Sequence, residues 1–238
     1  MLTRDQIEEL NERLVRIPDE DENEEEDEDE DDWYELVFSE PDSAQDIAAL
    51  EEIIGFAVPE PLKALYQQCG AFKHASHCQA WNTVQLYPVS TLLTWLRADP
   101  GTKPAVGLLA YIHDVWGRRT ELDVIDAESA KIINENYIVF GERCISDDVY
   151  EYWYFDRNGL FGSLYFDQDQ GAYNVWKLET LVNIIPPDSM GLSPEERRAC
   201  TLAEIATVSS DENIFPGKEL DALITQQFDD CAQRLAEG

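Results

Sequence analysis

Within ten residues the chain places four side chains able to bind a metal: Cys69, His74, His77 and Cys78. A structural zinc site draws on two separated pairs, each spaced to span one edge of a tetrahedron without strain. The adjacent His77 and Cys78 tend to point apart, so the spacing fits a buried Cys69 at a helix end with exposed histidines better than it fits zinc. Asp167-Gln-Asp169-Gln-Gly171 echoes the start of a calcium loop, but Leu178 stands where the loop requires a bidentate Glu, and a turn at the end of a strand is the better reading. Nucleophilic catalysis needs a Ser or Cys near a His held by a carboxylate. His74, His77 and His113 sit in no such motif, the chain has no Gly-rich phosphate loop, and among 50 acidic residues a chance carboxylate pair carries no information. These residues predict a non-enzymatic protein without a cofactor.

Recognition chemistry is better represented. In the run Val149 to Phe155, Tyr150, Tyr152 and Tyr154 share one face of a strand, and Glu151 and Trp153 the other. If Trp153 and Phe155 point inward, the tyrosines form an exposed aromatic face bordered by Glu142, Asp147, Asp148 and Asp156, the composition of a protein-binding patch. The same pattern also admits tyrosines lining a second buried face under the C-terminal helices.

The 238-residue chain carries a formal charge of −33, and from Asp19 to Asp32 every residue but Asn23 is acidic. Such a surface repels nucleic-acid phosphates and anionic membranes, which are bound through clustered Lys and Arg. It attracts a basic protein, by steering that fades with salt. The acidic tract, residues 19–32, is expected to be disordered, either as a solvated spacer or as a direct contact for that partner. Five scattered cysteines read as reduced thiols. The first residues lack the make-up of a secretory signal, and no apolar run approaches the ~20 residues that span a bilayer, so cytoplasmic residence is expected. Oligomeric state is not encoded in any of these features.

The elements that position these residues follow from periodicity. Residues 1–18 carry an amphipathic helix, opened by Thr3 with Gln6 and continued by Ile7, Leu10, Leu14 and Ile17 until Pro18. Trp33 to Phe38 is strand-like. Ser43 with Asp46 opens a helix that ends at Gly55, and Pro59 and Pro61 begin a second, with Gly70 as its left-handed stop. Ser90 caps a helix through Leu96, and Pro104 to Lys131 gives no clear pattern. Four period-two aromatic runs follow, at 137–140, 149–155, 160–166 and 172–176, with a hairpin turn at Asp156-Arg-Asn-Gly159. Helices from Leu178 to Ile185, Ser193 to Ile205 and Glu219 to Leu235 close the chain. The fold class is α+β: N-terminal helices packed on an antiparallel β-meander, with additional C-terminal helices.

The segment from Ala49 to Gly70 resembles the opening signature of SMI1/KNR4 (SUKH) proteins: a Glu-bearing helix ending in Gly55, a hydrophobic step to Pro59, and a helix with Tyr66 running to Gly70. Cys69 stands where that family usually has Asn. Val84 to Ser90 with Trp95, Tyr150 to Asp156, Gly162 to Asp167 and Leu178 to Ile185 are similar to the strands and helices that follow in the family; Asp147-Asp148 replaces its usual Gly-Asp. The likeness covers residues 43–186. It implies a domain over residues 33–186 and a helical extension over 187–238, and a binding fold, not an enzyme. Many bacterial members of that family look like immunity proteins that neutralise toxins by direct binding, while fungal relatives regulate cell-wall synthesis and signalling. An immunity protein against a basic toxin is the reading favoured by charge, and a regulatory or scaffold protein is the alternative.

Overall fold

In a computed structural model, the described residues are 1–14, 34–77, 80–98, 105–117, 119–208 and 217–237. The acidic tract, Ile17, Pro18, Trp33 and Cys78 lie outside them.

Local signals set the N-terminal helices. The Thr3 hydroxyl accepts from the Gln6 amide while the Gln6 side chain accepts from the Thr3 amide, and α1 follows over Arg4–Asn11. Strand β1 spans Leu36–Phe38. Ser43 caps α2 (Ala44–Ile54), and Gly55 ends it in the left-handed conformation with φ 82°. Pro59 then leads into α3 (Glu60–Cys69), which buries Leu62, Leu65, Tyr66 and Cys69. Gly70 has φ 77° with an extended ψ of −165°, so it is not a simple left-handed stop. It is glycine because a Cβ there would lie 2.5 Å from the Ser39 carbonyl oxygen and 2.9 Å from that of Glu40.

Strands β2 (Phe72–His74) and β3 (Thr83–Leu86) precede α4 (Val89–Leu96). Helix α4 begins one residue before Ser90 and follows Pro88, so Ser90 is not its cap. The stretch with no clear pattern forms α5 (Leu108–Trp116), a 3-10 turn at Thr120–Val124 and the start of α6 (Ala127–Asn136). Strands β4 (Tyr137–Ser146), β5 (Val149–Asp156) and β6 (Phe161–Asp167) complete one six-stranded antiparallel sheet in chain order, β1 to β6.

The run at 172–176, expected as a strand, is instead the first part of α7 (Gly171–Ile184). Its contacts suit only helical spacing: Tyr173 and Trp176, three apart, stack at 5.4 Å and 5°, and one position beyond Trp176 the Lys177 ammonium lies 4.5 Å from the Tyr173 ring centre. Helices α8 (Pro194–Val208) and α9 (Leu220–Ala236) follow.

Both faces of the sheet are covered. On one, Tyr111 and Trp116 of α5 pack on Tyr152, Tyr150 and Phe166, and the Tyr137 hydroxyl donates to the Leu181 carbonyl of α7 at 2.6 Å. On the other, Phe228 of α9 meets Phe72 and His74, and Phe56 meets Phe155. Helix α1 lies beside α9: the Met1 amino group pairs with Asp221 at 2.5 Å and Arg13 with Asp229 at 2.9 Å. Chain ends and middle thus share one hydrophobic core.

Candidate functional site

Antiparallel register brings several turns to one end of the sheet. There β2 passes to β3, β4 turns into β5 at Asp147-Asp148, and β6 turns into α7 at Asp167 to Gln170. Strand β1 starts at the same end, since Leu36 pairs with His74 and Ala75 donates to the Glu35 carbonyl. Tyr34, where the acidic tract rejoins the described chain, is therefore also there. Glu35, Asp147, Asp148 and Asp169 are exposed. Gln168 braces the turns, its amide donating to the Asp148 carbonyl and its side chain to the Asp148 carboxylate, both at 2.9 Å. The Asp167 carboxylate accepts from the Asp169 amide and the Gln170 side chain, so it caps a turn.

The anticipated tyrosine patch is only partly assembled. Asp147 and Asp148 are exposed and Tyr150 is half-buried, but Tyr152, Tyr154, Glu142 and Asp156 are buried, and Asp156 sits at the opposite end of β5. The cause is the helical layer of α5 to α7 over that face, which single-strand alternation cannot reveal. Tyr154 packs edge-on against Tyr137 at 5.2 Å. The Asp156 carboxylate accepts from the Asn158 and Leu160 amides and organises the β5–β6 hairpin, while burial pushes its pKa up to about 6.

Glu142 is the centre of a buried network beneath the β2–β3 loop. Its Oε1 lies 3.0 Å from His77 Nε2, and its Oε2 accepts from the Tyr111 hydroxyl at 3.1 Å. Tyr87 and Tyr111 hydroxyls are 2.5 Å apart, and burial together with the nearby Glu142 charge keeps both phenols protonated. His77 Nδ1 is 3.0 Å from the Thr83 hydroxyl. His74 is fully buried, not exposed: its Nδ1 accepts from the Val84 amide at 2.9 Å, so Nε2 carries the proton and donates to Asn11 Oδ1 at 2.7 Å. Burial, with His77 nearby, lowers its pKa to about 3. Both nitrogens of His74 and of His77 are thus engaged with protein partners, and Cys69 is a buried thiol at the end of α3. Among the described residues no group of three His, Cys, Asp or Glu is placed to hold a metal. This arrangement fastens loops to the sheet.

A second polar cluster lies under α9. Arg143 Nη2 donates to Glu151 Oε2 at 2.7 Å, and Glu151 Oε1 accepts from Ser163 at 2.5 Å and Gln227 at 3.1 Å. Burial disfavours the guanidinium charge, but Glu151, Cys231 and Asp230 outweigh it and raise the Arg143 pKa. The cluster anchors α9 and is closed to solvent.

Sequence patterns missed Trp81. It lies in the β2–β3 connection and is 60% exposed, while the Tyr34 hydroxyl donates to its carbonyl at 2.9 Å. A lone loop aromatic has no periodicity to betray it.

A model of the SMI1 / KNR4 family (SUKH-1) matches residues 41–180, more than half of the chain. The chain belongs to this family. No curated protein and no solved structure matches it. SUKH-1 membership supports a protein-binding or immunity-type module, in a family generally non-catalytic. The family match takes in the corner of α2 and α3, where Gly55, Pro59, Tyr66 and Gly70 set the turn and core contact, and runs through β6 into α7. The SUKH-1 segment includes Trp81, Asp147 and Asp148; α1, β1, α8 and α9 lie outside it.

Proposed function

We propose that this SUKH-1 protein is a cytoplasmic immunity-type inhibitor that binds a basic toxin and blocks its active site or substrate channel with the acidic end of the sheet. The observation that carries this reading is the convergence of the exposed Asp147-Asp148 turn, Asp169 and Glu35 on the end where Tyr34 receives the tract 19–32. Exposed carboxylates of this density accelerate encounter with a positive surface. Among the described residues no helix is long and apolar enough to cross a membrane, which accords with this reading.

The test is capture from native lysate with the full chain as bait, washed at low and high salt, with mass spectrometry of what is retained. The expected result is one basic protein in stoichiometric amount, encoded beside this chain and released by salt. Recovery of kinases or wall-synthesis factors contradicts the toxin reading and favours a regulatory role. Recovery of nothing contradicts both.

A further inference from the structure

We infer that Trp81 is the anchor of the acidic end, and that the partner lays an arginine or lysine side chain on its indole face, with further basic residues against Glu35, Asp147 and Asp148. This inference rests on the reading above and adds the residue on which affinity turns.

Exposure alone does not distinguish Trp81. Val124 at 68% and Met190 at 56% are as open, and scattered aliphatic side chains on a surface are ordinary. Trp81 differs in being held out by a built support. Its carbonyl accepts from Tyr34, and Asn82 beside it adopts φ 58°, a left-handed conformation uncommon outside glycine. Beneath, the His77 and Glu142 side chains, 5% and 8% exposed, join the loop to β4 through their 3.0 Å contact, and Thr83 adds a second contact from β3. The described residues on either side of Trp81 are held in this way, which lowers the ordering cost of binding. Among the described residues the other highly exposed tryptophan, Trp176, is stacked on Tyr173 and so has one indole face already covered.

Position supplies the partner's chemistry. The indole stands at the end of the sheet that carries Glu35, Asp147 and Asp148, within a chain of net charge −33. An aromatic face in a field of carboxylates favours a cation whose stem packs on the ring, the geometry of a cation–π contact. Arg suits it better than Lys, since its planar group stacks and is more weakly hydrated.

The test titrates a nona-arginine peptide into the 15N-labelled full chain at low salt and follows the tryptophan indole N–H resonances, with that of Trp81 assigned by its loss in Trp81→Ala. The expected result is a saturable shift of the Trp81 resonance together with the Asp147 and Asp148 amides. Trp81→Ala weakens binding on the order of tenfold, and Trp81→Phe restores most of it. If the peptide binds Trp81→Ala with unchanged affinity and the Trp81 resonance stays fixed, the anchor is wrong while the acidic reading stands. If it fails to bind the wild-type chain at low salt, the acidic end is not a cation-binding surface and both fall.

Discussion

Arg143 and His74 are buried polar groups with opposite dependence on charge. Arg143 must be ionised to satisfy Glu151, and truncating its partner leaves a guanidinium in the core with Asp230, at 3.5 Å, as its remaining carboxylate among the described residues. Glu151→Ala is expected to lose about 3–5 kcal/mol, read from urea denaturation. A loss below about 1 kcal/mol would mean that water reaches the site. His74 must instead be neutral. An unfolded histidine titrates near 6.5, and the folded value is about 3, so its stabilising contribution is complete above the unfolded value and is lost as pH falls toward the folded one. Asp156 runs the other way: with a folded value of about 6, raised from 3.8, its contribution is complete below the unfolded value and is lost as pH rises through about 6. His74→Gln keeps an acceptor for Val84 and a donor for Asn11 but cannot titrate. Its stability is therefore expected to fall less than that of the wild type between about pH 7 and pH 5. Parallel pH profiles would show that His74 does not set the acid limb.

At the scale of elements, what was legible had a local signature. The Thr3 box, the Ser43 cap, Gly55, and the Asp156 to Gly159 hairpin each act over a few residues, and each appears where its chemistry places it. What was not legible was decided by packing. Tyr173 to Trp176 reads as strand by composition, yet it forms helix because Asn174 and Lys177 reach the carbonyls of Asp167 and Tyr165 on β6. The stretch from Pro104 to Lys131 shows no clear period, yet α5 and the start of α6 within it belong to the layer that buries Tyr152 and Tyr154. The candidate site shared this fate: Asp147 and Asp148, expected as the border of a tyrosine patch, are exposed at a turn while the tyrosines beside them are covered, and Trp81 was missed because loops do not repeat. The two family glycines separate local from packed requirements. Among the described residues nothing lies within 4 Å of where a Cβ on Gly55 would sit, so Gly55→Ala should cost only the left-handed conformation, about 1 kcal/mol. Gly70→Ala forces a Cβ onto the Ser39 and Glu40 carbonyls and is expected to cost at least about 2 kcal/mol more, seen as a larger drop in Tm. Equal costs would contradict the close approach of α3 to β1.

Across the whole molecule, the family segment does not close its own core. Helices α1 and α9, from opposite ends of the chain, meet through Asp221 and Asp229 and bury Ile7, Leu10, Leu223, Ile224 and Phe228 against the face carrying Arg143 and Glu151. With one face under α5 to α7 and the other under these terminal helices, sheet surface is left for recognition chiefly at its ends. One end carries the Asp147-Asp148 turn and Trp81. The most direct measurement is the association rate of the captured basic partner with the wild type, with Asp147→Lys/Asp148→Lys and with a chain lacking residues 19–32, each at low and high salt. The account predicts that the double reversal slows association and flattens its salt dependence, by roughly tenfold or more at low salt, and does so more than removal of the tract. An unchanged rate in the double reversal would contradict the acidic end as the binding surface.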